Sequence, residues 1–232
     1  MSRYKVIYES KADAYDLLVS REDYDDNALR AIVDICPLEG KVVAEFGAGT
    51  GRLTVLLAPK VARIDAFDLY PAMAEVANAK LRRLGLTHAS VGVADNKSLP
   101  IAAAVADLSV AGWTFGHCTS WYPDTWREEI GAAVSEMLRV TKKGGHAIVL
   151  ETLGTGALMP KEPNAALGGY YRMLEDVFGF VRTSIRTDYR FSSLEEGETL
   201  TQMFFGRTFS FEATHSAEVV LPECTGVWSR IV

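Results

Sequence analysis

The feature that most constrains this chain is an apolar run that ends in three alternating glycines, Val42-Val43-Ala44-Glu45-Phe46-Gly47-Ala48-Gly49-Thr50-Gly51. A short, continuous apolar run is typical of a strand that is buried on both faces of a parallel sheet. Glycine lets a backbone turn sharply and approach a ligand closely, and residues 52–58 then follow a helical pattern. Because a helix N-terminus presents unpaired N–H groups and a positive dipole end, this turn predicts a cradle for a small polar ligand.

Strand and helix patterns alternate after the glycine turn. An early helix over residues 23–36, with Asp25 or Asp26 as its cap, comes before the turn and ends at Pro37. Alternation of strands with helices favours a parallel sheet that is covered on both faces. The predicted strands cover residues 41–46, 63–68, 89–94, 106–112 and 146–151, and helices are predicted over 71–84 and 124–140.

The pattern changes after residue 151. Residues 153–180 are rich in glycine and aromatic residues and contain two prolines, which predicts a lid with a short helix. Residues 181–191 alternate in polarity and predict one half-exposed strand. Ser192 and Glu195 have capping-box spacing and open a further helix. The last strand is predicted at 217–221, with 227–232 as its continuation.

Length, charge and cysteine content limit the class of protein. The 232 residues, of which 48% are hydrophobic and 23% charged, predict one globular domain with a substantial core. The net charge of -6 argues against long nucleic-acid duplexes as partners. Three scattered cysteines fit neither a disulfide framework nor a zinc site, so we expect no metal and a reducing cytoplasm. The polar first residues and the absence of a bilayer-length apolar run lead us to expect no membrane partner.

Acidic residues close the second and third predicted strands. Asp68 follows Gly51 by 17 residues, and a carboxylate there can accept hydrogen bonds from both hydroxyls of a ribose. Asp95 or Asn96 can accept from the exocyclic amine of an adenine. Arg52 stands where a dinucleotide-binding Gly-x-Gly-x-x-Gly motif needs its last glycine. The pattern therefore predicts a mononucleoside ligand at the carboxyl ends of the strands.

Five segments in this order resemble motifs of the class I S-adenosylmethionine-dependent methyltransferases, in their ubiquinone/menaquinone-biosynthesis-like branch. The segments are residues 45–51, 68–73, 94–100, 106–111 and 138–145, and the resemblance covers roughly residues 35–152. It implies an α/β, Rossmann-like sandwich: a mostly parallel seven-stranded sheet with helices on both faces and an antiparallel C-terminal strand. Lys143 departs from the proline that the family usually has in the last motif, which bears on turn rigidity more than on chemistry.

The resemblance also implies a layout and a cofactor. We expect a single methyltransferase domain over 1–232, with an N-terminal cap over the cofactor (1–36), a cofactor-binding core (37–152), a substrate lid (153–180) and a C-terminal strand-helix-strand (181–232). The implied cofactor is S-adenosyl-L-methionine. Its implied contacts are Glu45, Gly47, Ala48, Gly49 and Gly51 at the methionine moiety, Asp68, Leu69 and Met73 at the ribose and adenine, Asp95 and Asn96 at the adenine amine, and the Ala111 carbonyl at the sulfonium.

Methyl transfer to a small-molecule acceptor is an in-line displacement, for which the protein mainly orients and desolvates the reactants. Where the acceptor holds its proton at neutral pH a general base is needed, and His117 is the first candidate and Glu151 the second. Each residue also has an interpretation without a catalytic role: His117 as a loop histidine that is exposed to solvent or hydrogen-bonded, and Glu151 as a carboxylate that caps a loop. We expect aromatic residues to form a wall of the substrate site, and about half of the aromatic residues in these segments to serve packing instead. The residues predicted at the substrate are Tyr15, Trp113, Trp121, Tyr170 and Tyr171.

Two other functions stay open at the level of sequence. A protein or nucleic-acid methyltransferase is disfavoured by the acidic balance and by the absence of an Asn-Pro-Pro-Tyr-like tetrapeptide. A non-catalytic S-adenosylmethionine-binding protein needs the same glycine and acidic positions. The sequence identifies neither the acceptor nor the oligomeric state.

Overall fold

A computed structural model describes residues 3–232. Its strands are β1 (Val42–Phe46), β2 (Arg63–Asp68), β3 (Ala89–Val93), β4 (Ala106–Gly112), β5 (Thr141–Thr155), β6 (Val181–Arg186), β7 (Tyr189–Phe191), β8 (Glu212–Ala213), β9 (Val219–Leu221) and β10 (Glu223–Ile231). Its helices are α1 (Arg3–Ser10), α2 (Ala12–Val19), α3 (Asn27–Ile35), α4 (Arg52–Leu57), α5 (Pro71–Arg83), α6 (Cys118–Trp121), α7 (Trp126–Val140), α8 (Ala165–Arg172) and α9 (Leu194–Phe205).

Seven of the strands in the described range form one sheet in the order β3-β2-β1-β4-β5-β10-β6. Strands β1 to β5 pair in parallel, and β10 runs antiparallel to both of its neighbours, β5 and β6. The order reverses between β1 and β4, and open α/β sheets bind ligands at the carboxyl ends of the strands at such a point. The predicted sheet, with its antiparallel C-terminal strand, is confirmed.

Helices cover both faces of this sheet. On one face α7 and α8 bury Ile130, Met137 and Tyr171 against the strands, with Trp228 of β10 in the same core. On the other face a second core includes Ile32 of α3 and Leu57 of α4. Both strand faces are therefore apolar, which is why the strands read as continuous hydrophobic runs. No helix within residues 3–232 combines the length and apolar character that crossing a bilayer requires.

Two predicted helix caps are wrong by a few residues. The carboxylate of Asp23, and not that of Asp25 or Asp26, accepts the N–H groups of Asn27 and Ala28 at the start of α3, each at 2.9 Å. Helix α9 is capped by Ser193, whose hydroxyl accepts from the Glu196 N–H at 3.2 Å. The Glu196 carboxylate in turn accepts from the Ser192 N–H at 2.6 Å. Side chains of a serine and a glutamate three residues apart thus cap this helix, one residue later than predicted.

Residues 181–191 were predicted as one strand and form two. Strand β6 ends at Arg186 on the edge of the main sheet, and β7 joins a three-stranded sheet with β9 and β8. The break is fixed by Thr187, whose N–H donates to the Glu223 carbonyl at 3.0 Å, and by Asp188, which accepts the Glu223 N–H at 2.8 Å. Strand β7 has one buried face, with Tyr189 and Phe191, whereas none of the residues of β6 is buried, so alternation of residue types does not reveal the break. The predicted last strand is likewise divided, into β9 of the small sheet and β10 of the main sheet.

The predicted lid segment, 153–180, contributes several residues to the core. Strand β5 continues to Thr155, and α8 leads into a short π-helix, Met173–Val177. Tyr170, Tyr171 and Leu174 are fully buried against α7 and the sheet. A glycine- and aromatic-rich segment resembles a loop in sequence, but here its aromatic rings fill the space beside Trp228.

Candidate functional site

Two adjoining cavities lie at the carboxyl ends of the parallel strands. The first cavity, of about 100 Å³, includes Gly49, Asp68 and Asn96 in its lining. The second cavity, of about 240 Å³, includes Glu45 and Glu151. Each is smaller than the roughly 300–1,000 Å³ of a typical small-ligand pocket, and together they reach its lower part. The residues common to both linings are Tyr8, Tyr15, Gly47, Gly112, Trp113 and His117.

The glycine turn between β1 and α4 lies where the two cavities meet, because Gly47 lines both of them. Gly47 and Gly49 have φ values of +64° and +55°, in the left-handed region where side chains are disfavoured. A Cβ atom on Gly47 would lie 2.6 Å from the Cβ of Thr114, in the segment that follows β4. The missing side chain at position 47 therefore lets this turn pack against the end of β4.

Replacement of Gly47 by alanine is expected to lower the free energy of unfolding by about 2–5 kcal/mol, through the left-handed backbone and the overlap with Thr114. Gly40 is a matched control because it has φ +72° and no atom within 4 Å of a built Cβ. Gly40→Ala is expected to cost only the backbone part, about 1–2 kcal/mol. Urea unfolding of both variants measures the difference, and equal losses would contradict the role of Thr114.

Asp68 ends β2 beside the glycine turn, and its carboxylate is held by two backbone N–H groups. Its Oδ2 accepts from Gly49 and its Oδ1 from Tyr70, both at 2.8 Å. Burial raises the pKa of Asp68, and these N–H groups act in the opposite direction. A carboxylate oxygen has room for more than one donor, so the group can also accept the two hydroxyls of a ribose.

The end of β3 supplies the other acceptors of the first cavity. Asp95 Oδ1 accepts from the Lys97 N–H at 2.9 Å, and its carboxylate is half exposed. Asn96 Oδ1 is buried and has no hydrogen-bond partner. A buried polar atom without a partner is rare, and an amine donor on a ligand would satisfy it. The sequence left open which of Asp95 and Asn96 accepts from an adenine amine, and the unpartnered buried oxygen belongs to Asn96.

Other residues predicted at the cofactor are divided between the two cavities. Met73, which is almost fully buried, and Leu69, which is 48% exposed, line the first cavity. Glu45 and Ala48 line the second. Gly51 opens α4 with φ +81°, and a Cβ there would lie 3.0 Å from that of Ala77, so its role is to let α4 pack on α5.

The backbone carbonyl of Ala111 is predicted at the sulfonium, and its side chain lies elsewhere. Ala111 is fully buried in β4, between Phe46 of β1 and Val149 of β5, and its side chain belongs to the core. The next residue, Gly112, lines both cavities. The Ala111 carbonyl therefore directly precedes a residue of both cavity linings, and its contact with the sulfonium stays a prediction.

His117 follows β4 and contacts the N-terminal helix α1. Its Nε2 shares a 2.8 Å hydrogen bond with the Tyr8 hydroxyl, and its ring stacks on Trp121 at a centroid distance of 5.0 Å. Burial lowers the pKa of His117 to about 4. The imidazole is therefore neutral at neutral pH, and its position is set by aromatic contacts.

Glu151 of β5 lines the second cavity, and only 4% of the residue's surface is exposed. Its Oε1 accepts from the Gly116 N–H at 2.9 Å and from the Tyr170 hydroxyl at 3.4 Å. Burial raises the pKa of Glu151 to about 7, although both hydrogen bonds lower it. A carboxyl group that titrates near neutral pH beside a cavity is suited to proton transfer.

The predicted aromatic wall is only partly at the cavities. Tyr15, Trp113 and Trp121 line the first cavity. Trp113 has φ +50°, an unusual conformation for a bulky residue and one that concentrates at functional sites. Tyr170 and Tyr171 were predicted in this wall but are core residues; the Tyr170 hydroxyl reaches Glu151, and that of Tyr171 donates to the Thr152 carbonyl at 2.6 Å.

Three charged residues of the second cavity were missed by sequence reasoning. Arg52 pairs with Glu22 at 2.7 Å, and its guanidinium lies 3.8 Å from the Trp113 ring centroid. Glu223 accepts from the Thr152 hydroxyl at 2.6 Å. Arg52 had one usable signal, its place directly after the glycine turn. Glu22 and Glu223 had none, because the fold alone brings residues so far apart in the chain together.

Comparison with known proteins agrees with this geometry. A family model described as a methyltransferase domain matches residues 44–149. The chain is 31% identical to a demethylmenaquinone methyltransferase from Thermobifida fusca over 150 residues, which are 62% of this chain and 59% of that protein. It is 30% identical to a malonyl-[acyl-carrier protein] O-methyltransferase from Serratia marcescens over 51% of this chain and 41% of that protein. The chain thus matches about half the length of these curated relatives.

A solved structure of a SAM-dependent methyltransferase from Aquifex aeolicus has the same fold. It superposes with a TM-score of 0.61 at 17% identity and covers 95% of this chain and 98% of that one. Residues 44–149 are thus similar to a methyltransferase domain, and the chain shares the fold of the SAM-dependent methyltransferase from Aquifex aeolicus. The first cavity fits an adenosyl group of the cofactor, because Asp68 offers a carboxylate at the sheet edge and Asn96 an unpartnered acceptor.

Proposed function

We propose that this chain transfers a methyl group from S-adenosylmethionine to a small-molecule acceptor. The observation that carries the proposal is the contact between the two cavities at Gly47 and Gly112, with cofactor-type residues on one side and a buried carboxyl group on the other. The bound cofactor supplies an activated methyl group for in-line displacement. The chain's own residues orient the two reactants and exclude water from them.

Binding of the cofactor is assigned to the residues of the first cavity. Asp68 accepts hydrogen bonds from the ribose, while Met73 and Leu69 contact the adenosyl group. Asp95 and Asn96 accept from the adenine amine. Gly47 and Gly49 admit the methionine moiety. Support comes from the strand ends that hold these side chains and from the unpartnered Asn96 oxygen.

Glu151 is the general base in this proposal, and His117 is a positioning residue. A base works best when its pKa lies near the working pH, and the pKa of Glu151 is about 7 whereas that of His117 is about 4. His117 is also engaged by Tyr8 and stacked on Trp121. Together with Tyr15 and Trp113, these aromatic rings close the site from the side of α1 and α2.

A small acceptor is favoured over a polymer. The second cavity is about 240 Å³ and is lined on several sides, by Leu18 of α2, Phe204 of α9 and Leu167 of α8 among others. The net charge of -6 also disfavours nucleic acid as the acceptor. The free cysteines favour a reducing compartment, so we place the reaction in the cytoplasm. The names of the two curated relatives specify different acceptors, so they do not select one for this chain.

The test has two stages. Titration calorimetry with S-adenosylhomocysteine is expected to show saturable binding, and failure to bind would end the proposal. Incubation with methyl-labelled S-adenosylmethionine and fractionated metabolite extract is then expected to label a small molecule. Binding without a labelled product in any fraction would favour a non-catalytic cofactor-binding protein, and label in polypeptide or nucleic acid would favour the polymer-directed alternative.

A further inference from the structure

One end of the second cavity is formed by a polar cluster that the proposed reaction does not use. The cluster consists of Glu22, Arg52 and Glu223, which come from the segment after α2, the start of α4 and the start of β10. Arg52 forms its ion pair with Glu22, and Glu223 is held by the Thr152 hydroxyl. These contacts use one end of the Arg52 guanidinium and one oxygen of the Glu223 carboxylate, whereas Glu22 uses both oxygens, because its Oε1 accepts from the Thr187 hydroxyl at 3.3 Å.

Two atoms of this polar cluster are buried without a hydrogen-bond partner. They are Nη2 of Arg52 and Oε2 of Glu223, and Glu223 is only 1% exposed. A buried donor or acceptor that is left unpaired costs free energy, so native proteins rarely keep one without a reason. Both residues line the same cavity, so an unpaired donor and an unpaired carboxyl oxygen belong to residues of one cavity wall.

We propose that the acceptor carries a carbonyl oxygen next to an N–H or O–H group, and that this pair is recognised by the polar cluster. Arg52 Nη2 donates to the carbonyl oxygen, and Glu223 Oε2 accepts from the neighbouring N–H or O–H. Carboxamides, lactams and hydroxy ketones share this chemistry. The inference rests on the proposed function, since it names the recognition group of the same acceptor.

The charges of the polar cluster favour a neutral group. A free carboxylate would pair with Arg52 but would face Glu22 and Glu223. An ammonium group would pair with Glu223 but would lie beside the Arg52 cation. Burial and the nearby Glu22 raise the pKa of Glu223 to about 8, so Oε2 is an acceptor in the deprotonated form, and the probes below are titrated at pH 9, where that form dominates. A neutral donor–acceptor pair matches both unpartnered atoms without adding charge.

The test uses four probes that differ only in the group on a phenyl ring: benzamide, acetophenone, benzoate and benzylamine. Each is titrated by ligand-observed NMR into protein saturated with S-adenosylhomocysteine. We expect benzamide to bind more tightly than the other three, because it alone supplies both an acceptor and a neutral donor. Preference for benzoate or benzylamine, or no binding of any probe, would overturn the inference.

Two variants assign the contacts. In Glu223→Gln the amide oxygen keeps the Thr152 bond, and the amide nitrogen then offers only donors at the free position. Benzamide is expected to lose about tenfold in affinity, as for a hydrogen bond to a charged group, and acetophenone is expected to lose none. Arg52→Lys keeps a cation for Glu22 but lacks the second nitrogen, so affinity for both probes is expected to fall.

Glu212→Gln, on an exposed strand of the small sheet, is the matched control and is expected to leave the affinity for all probes unchanged. Binding of S-adenosylhomocysteine by each variant verifies that it is folded. Unchanged benzamide affinity in Glu223→Gln would overturn the inference while leaving the proposed function intact. If the unmodified protein itself does not bind S-adenosylhomocysteine, the proposed function is contradicted.

Discussion

Replacement of Asp68 by asparagine is expected to weaken binding of S-adenosylhomocysteine by about 100-fold or more. The carboxylate accepts from the N–H groups of Gly49 and Tyr70, one on each oxygen, and both oxygens are assigned to the ribose as well. An asparagine has one NH₂ group where an oxygen stood, and this group cannot accept. Loss of one ribose hydrogen bond to a charged group costs about 1.5–3 kcal/mol, and the bond kept by the amide oxygen loses its charge assistance, so the two effects together account for the expected change.

Titration calorimetry measures the effect of this change at position 68. Asp65→Asn is the matched control, because Asp65 lies on the same strand but forms its ion pair with Arg63 at 3.1 Å. The control is expected to bind with unchanged affinity. Urea unfolding of both variants separates a loss of ligand contacts from a loss of structure. A folded Asp68→Asn protein that binds within threefold of the original would refute the assignment.

Replacement of Glu151 by glutamine is expected to lower kcat by about 10²- to 10⁴-fold, the usual contribution of a general base. Glutamine retains an oxygen for the Gly116 N–H, so the local fold is kept. A base must be deprotonated to accept a proton, and the pKa of Glu151 is about 7. The rate of the unmodified protein is therefore expected to rise with pH through about 7 and then level off. Initial rates with labelled cofactor, from pH 5 to 9, measure both effects.

Tyr170→Phe is the companion variant, because it removes the hydroxyl that donates to Glu151 at 3.4 Å. This hydrogen bond lowers the pKa of Glu151. Its loss is expected to move the rise in rate to higher pH and to leave the plateau unchanged. A merely structural role for Tyr170 would lower the plateau without moving the rise. A rate that is already level from pH 5 upward in the unmodified protein would contradict Glu151 as the base and agree with His117, whose pKa is about 4.

The cofactor half of the site was predictable because its signals are local. Gly47 and Gly49 follow directly on a buried strand, and their left-handed φ values agree with the turn that their pattern predicts. Asp68 ends the next strand, and parallel pairing in register brings the two strand ends together. A continuous apolar run with its turn residues thus fixes both an element and its position at the sheet edge.

The acceptor half was not predictable from such signals. Tyr170 and Tyr171 have the composition of a lid, yet α8 places them in the core beside Trp228. The chain leaves the main sheet at Thr187 and Asp188, where backbone and carboxylate bonds to Glu223 decide the path. Each of these outcomes depends on a partner far away in the chain.

The sequence by itself determined the order of strands β1 to β5, the glycine turn and the acidic strand end, since each follows from residue spacing over a few positions. Only the tertiary structure decided that Glu22, Arg52 and Glu223 meet at one end of a cavity, and that the pKa of Glu151 lies near neutral. Burial and contacts between residues far apart in the chain set these properties, and neither can be inferred from a short stretch of sequence.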